Sequence, residues 1–155
     1  MKYTKYVIVL LSFAIFFTGC VTVKMPQYLQ AENPYSKQFL ADYDKTLDAT
    51  FKVLKKFGWT VAKQSSPLAF EQETAVPDKD KKQVLIFTNV KQKAMFLSSR
   101  YMSLNIVLKE NKQNTDVEIR YFSILSTAFK NFETYKNDKF VERIFKGIAT
   151  ELSGT

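Results

Sequence analysis

Cys20 is the only cysteine in a chain of 155 residues that contains no histidine, so the sequence holds one thiol and lacks its commonest activating base. A single cysteine excludes an internal disulfide, and without histidine the most frequent metal ligand and general base are both missing. The carboxylates are dispersed. Asp42, Asp44 and Asp48 open an apolar-periodic stretch, where capping and the helix dipole account for them. Asp78 and Asp80 lie in the run PDKDKK, which lacks the third ligand and the glycine of a calcium loop, so no metal site is expected. Ser98 or Ser99 with Lys93 has the residue types of a Ser–Lys dyad, but nothing in the surrounding sequence marks one. No G-x-S-x-G elbow, phosphate loop, dinucleotide fingerprint or zinc pattern occurs. The expectation is a protein without catalytic residues, metal or cofactor.

The formal charge is +8, and it comes almost wholly from lysine, because Arg100, Arg120 and Arg143 are the only arginines. Lysine excess gives solubility and weak attraction to anionic surfaces, whereas base and phosphate recognition draws on the bidentate fork of arginine. With 14 Phe and 8 Tyr against 4 Gly, the chain suits a compact core filled by rings rather than glycine-rich functional loops.

The first twenty residues, MKYTKYVIVLLSFAIFFTGC, place two lysines before an apolar run from Val7 to Phe17 and the small residues Thr18 and Gly19 before Cys20. About eleven apolar residues match a signal-peptide core, while a transmembrane helix needs about 20. This arrangement resembles the lipobox signal peptide of bacterial lipoproteins, with Phe17 in place of the usual aliphatic residue. The resemblance implies that Cys20 is the lipidation site, that residues 1–19 are removed, and that acyl chains such as palmitate anchor the protein to a membrane. An uncleaved N-terminal anchor helix, its apolar run extended through Val21 and Val23 to about 17 residues, is the other reading of the same segment. Val21 follows the cysteine in place of the aspartate that retains many lipoproteins at an inner membrane. The resemblance therefore implies the cell envelope and, in an organism with two membranes, the outer membrane facing the periplasm. Export also argues against a nucleic-acid partner.

The elements behind this leader fall into a tether and one domain. Residues 20–41 mix polar residues with Pro26 and Pro34 and read as a lipid-anchored tether, with Tyr35 and Phe39 able to dock on the domain. Residues 42–155 read as an α+β domain. Tyr43, Leu47, Phe51, Leu54 and Phe57 share one helical face, with Asp42 or Asp44 as the cap and Gly58 as the stop. Lys45, Lys52 and Lys56 fall on the opposite, solvated face. WTVAKQ (59–64) and LAFEQE (68–73) are expected as short strands, and QVLIFTNV (83–90) as a third. YMSLNIVLKE and DVEIRYFSIL alternate on either side of NKQNT and form a hairpin with one buried and one wetted face. Phe140, Val141, Ile144, Phe145, Ile148 and Leu152 make a closing helix, with Asn137 or Asp138 as cap. The predicted fold is a two-layer sandwich, an antiparallel sheet of four or five strands packed on an N-terminal and a C-terminal helix.

Two aromatic regions remain. KQKAMFLSSR admits a strand entry, a bulge or an exposed loop, and Met95, Phe96, Arg100 and Tyr101 are its candidate partner contacts. FSILSTAFKNFETY, with Phe129, Phe132 and Tyr135 around Lys130, reads as sheet cover or core, with an aromatic and cationic binding surface as the other reading. The phrase LKKFGW at Leu54 to Trp59, a meander, and the closing KFVERIFKGIATEL resemble small envelope lipoproteins with BamC-like or related two-layer domains. That resemblance implies a non-enzymatic, protein-binding adaptor or structural component with an envelope protein partner. The alternative is a lysine-rich module that engages anionic lipid or envelope polymer through the first helix and the loop 79–82.

Overall fold

The computed structural model describes residues 22–30, 34–70 and 81–154. Cys20, Asp78 and Asp80, the leader 1–19 and residue 155 lie outside the described residues. The described chain is α+β. Its strands are β1 (Tyr35–Phe39), β2 (Val61–Ser65), β3 (Gln83–Thr88), β4 (Lys91–Met95), β5 (Ser98–Asn111), β6 (Asn114–Thr127) and β7 (Asn131–Thr134). Helix α1 (Tyr43–Lys56) follows β1, and α2 (Asp138–Ser153) closes the chain.

All pairings are antiparallel, but the sheet has seven strands where the sequence suggested four or five. Two strands come from segments read otherwise, β1 from the tether and β7 from the second aromatic region, and β4 takes the strand reading left open for KQKAMFLSSR. One expected strand fails at its start. Pro67, with its fixed φ, begins a 3-10 turn (Pro67–Ala69), and Phe70 donates its N–H back to the Pro67 carbonyl at 2.9 Å.

Both helices form for local reasons visible in the sequence. The Asp42 carboxylate accepts the Lys45 N–H at 2.9 Å, and the Asn137 side chain caps Phe140. Helix α1 stops in a Schellman motif: Trp59 N–H reaches the Leu54 carbonyl at 2.8 Å and Gly58 N–H reaches Lys55 at 2.9 Å. Gly58 has φ +70, which glycine adopts without cost. The helices cross closely, because a Cβ added at Gly147 would lie 2.9 Å from Val53 Cγ1.

Leu104, Ile106 and Leu108 of β5 and Val117, Ile119 and Tyr121 of β6 face the helices and join Val53, Leu54, Ile144 and Ile148 in the main core. The other sheet face is not wetted, as the alternation suggested. Asn105 and Arg120 sit opposite each other on it and are buried. They hold the chain of residues 22–30, so the described part of the expected tether packs on the domain. Leu29 donates its N–H to Asn105 Oδ1 at 2.6 Å. The Arg120 guanidinium donates to the Tyr28 hydroxyl at 2.7 Å, the Leu29 carbonyl at 3.2 Å, and the Glu118 carboxylate. Val23, Met25 and Leu29 cover Phe122 and Ile124 beside these bonds. Polar residues alternating with apolar ones thus make a clasp for backbone.

Candidate interaction surface

The site grows out of the length of β5 and β6. They pair over their full 14 residues each, from Ser98 opposite Thr127 to Asn111 opposite Asn114. One half of this ribbon carries β3 on Asn105–Lys109 and β1 on Thr115–Ile119. The other half carries β4 on Ser98–Met102 and β7 on Ser123–Ser126, giving the order β4-β5-β6-β7 there. Two turns leave this end from the paired residues Ser98 and Thr127, Phe96–Leu97 on one side and residues 128–130 on the other. Directly opposed strand residues lie about 5 Å apart, so the two hairpin tips are neighbours.

Both tips expose apolar side chains. Phe96 is 93% exposed, Leu97 77% and Phe129 95%, with Met95 partly exposed beside them. Leu97 has φ 59, a left-handed conformation that branched side chains rarely take. The second tip is rigid: Thr127 Oγ1 accepts the N–H groups of Phe129 at 3.3 Å and Lys130 at 3.1 Å, and donates to the Lys130 carbonyl at 2.8 Å. Phe129 is therefore held at the apex by its own turn. Behind the apices lie the exposed cations Lys93, Arg100 and Lys130, with Lys93 directly opposite Arg100. None of the three takes part in an ion pair among the described residues. Lys130 rests over the Phe132 ring at 5.4 Å.

Of the four predicted contacts, the structure brings Met95, Phe96 and Arg100 to this end. Tyr101 turns to the other face, because successive strand residues alternate, and its hydroxyl accepts from Gln92 at 3.3 Å. Sequence reasoning missed Leu97 and favoured packing for Phe129 and Phe132, which project from the sheet rather than into it; Tyr135 packs at a tilt on Phe122 but stays half exposed. Only the placement of two turns at one end could have revealed the cluster, and that is a property of register.

The lysines weighed as an alternative site sit differently. Lys45 pairs with Asp42, Lys52 with Asp48, Lys56 with Glu151, and Lys82 with Asp44, so the helical stripe is locally neutralised. No hydrogen bond joins Lys93 to Ser98 or Ser99 among the described residues. A separate groove of about 360 Å³ between residues 25–27 and β2 and β3 contains the buried Ser103 hydroxyl but brings together no chemical constellation.

The chain enters the described structure at the same end. The Thr22 carbonyl accepts from Asn131 Nδ2 at 3.4 Å, and Asn131 opens β7 immediately after the second tip. No helix among the described residues is long and apolar enough to cross a membrane. No protein-family model and no curated protein matches the chain.

Proposed function

We propose that the protein is a lipid-anchored, non-enzymatic component of a bacterial cell envelope that works by binding, as an adaptor or structural part. One observation carries the reading: a rigid sheet end exposes Phe96, Leu97 and Phe129 together, beside the entry of the chain from Cys20. Singly exposed apolar residues are ordinary, but a clustered patch marks an interaction site. The lipobox-like sequence before Cys20 supplies the tether and, with Val21 after it, favours an outer-membrane, periplasm-facing position in an organism with two membranes. An envelope protein partner would meet this end or the outer edges of β1 and β2. The cations at the hairpin end, in no ion pair among the described residues, favour anionic lipid as the second reading, through Lys93, Arg100 and Lys130 rather than the paired lysines of α1.

Fatty-acid labelling of cells expressing the full chain tests the anchor. Label should enter the protein and disappear in Cys20→Ser; label that persists in that variant sinks the lipoprotein reading. Crosslinking in native membranes, followed by capture through the protein, tests the adaptor role. A reproducible protein partner is expected, and recovery of lipid alone defeats the adaptor form of the proposal.

A further inference from the structure

We infer that the paired hairpin tips dock into the anionic phospholipid leaflet that holds the lipid anchor, so that the domain is fixed to the membrane at two kinds of contact. The inference rests on the proposed lipidation of Cys20. Chain length ties the two together: only Val21 separates Cys20 from Thr22, and two residue steps reach about 7 Å at full extension. Thr22 is hydrogen-bonded to the first residue of β7, so an anchored Cys20 brings the tips to the bilayer surface.

The shape and chemistry of the tips fit lipid. They are two convex turns with apolar apices, Phe96–Leu97 and Phe129, and the cations Lys93, Arg100 and Lys130 stand behind them. Glu133 is the one carboxylate on β4 or β7. Apolar apices with a basic collar match the layering of a bilayer, acyl chains beneath anionic headgroups, the same division that lets amphipathic helices sink about 5–10 Å into the interface. The backbone of Leu97 argues in the same direction. A bulky residue at φ 59 on an exposed turn costs stability and gains no packing, so the side chain is kept for something outside the fold.

Depth-resolved fluorescence on the full lipidated chain in phosphatidylcholine–phosphatidylglycerol nanodiscs tests this. An acylated Cys20 has no free thiol, so a new cysteine accepts an environment-sensitive dye alone. Ala128→Cys reports the tips with all three apolar residues intact, and Gln113→Cys reports the opposite turn. The tip dye should be quenched severalfold more than the Gln113→Cys dye by spin-labelled lipid. That difference should fall away when Phe96→Ser and Phe129→Ser are added, two exposed changes that leave the fold intact. A tip dye that stays in water while the fatty-acid label is present overturns the inference but leaves the anchor. A tip dye shielded instead by a captured protein also overturns it, in favour of a protein contact. If the fatty-acid label is absent, the anchor reading fails, and the tip dye is then read in a Cys20→Ser background, where entry into anionic bilayers upholds tip docking and a dye left in water overturns it.

Discussion

Leu97 shows how a single backbone angle separates what the fold needs from what the surface keeps. In the left-handed region glycine is free of the Cβ clash that costs other residues about 1–2 kcal/mol. Because Leu97 is largely exposed, Leu97→Gly removes little packing, and we predict a gain of about 0.5–1 kcal/mol in chemical denaturation. A loss would mean that Leu97 packs on its neighbours. Asp42 carries a second prediction. Its backbone hydrogen bond to Lys45 holds its pKa below the ordinary 3.8. A depressed carboxylate contributes stability that is complete above its unfolded pKa and is lost as pH falls through the folded value. Asp42→Asn caps a helix equally well but does not titrate, so its stability should fall less than the parent's below about pH 3.8. Parallel acid unfolding curves for the two proteins would contradict this.

Between elements, the crossing of the helices is set by small residues. Gly147 lies under Val53, and Thr46, Ala49 and Thr50 are buried on the same helix. Gly147→Ala places a methyl at 2.9 Å from Val53 Cγ1, so the helices must separate or Val53 must turn. Overpacking of this kind costs about 1–3 kcal/mol, measurable as a lower denaturation midpoint. An unchanged midpoint would show that the helix pair adjusts freely. Part of the helix core was legible in the sequence, because Tyr43, Leu54, Ile144 and Ile148 repeat at helical spacing and are buried, whereas Leu47, Phe51 and Phe57 of the expected face are only partly buried and the fully buried Val53 lay outside it. Thr46 and Thr50 were not legible. Their hydroxyls donate to the carbonyls of Asp42 at 2.9 Å and Thr46 at 2.7 Å, four residues back, which hides their polarity inside the helix. The central hairpin was legible from alternation, whereas β1, β4 and β7 are short, polar edge strands whose pairing depends on β5 and β6. The tip cluster escaped the sequence for the same reason: Phe96 and Phe129 meet only through the Ser98–Thr127 register.

For the whole molecule, the long ribbon sets orientation. Fourteen residues of strand span about 46 Å, so tips held at a bilayer put the β5–β6 turn at the far side of the domain. Residues 22–30 run along one face of this ribbon, fastened at Asn105 and Arg120. Arg120→Ala leaves Glu118 without its partner and the Leu29 carbonyl without one donor. Since Glu118 is partly exposed, we predict a loss of about 2–3 kcal/mol, less than for a fully buried pair. Hydrogen exchange at residues 22–30 should quicken more than in the helices, and uniform quickening would refute a local clasp.

The same strap gives the protein an adjustable reach. Load applied at the N-terminus meets residues 22–30, fastened through Val23, Met25, Leu29, Asn105 and Arg120, before it meets the sheet, and peeling them breaks a few contacts at a time. Stretched out, they add about 30 Å of leash. Single-molecule pulling should record that lengthening as a first, low-force step, and a domain displaced from its surface would remain folded at the end of it.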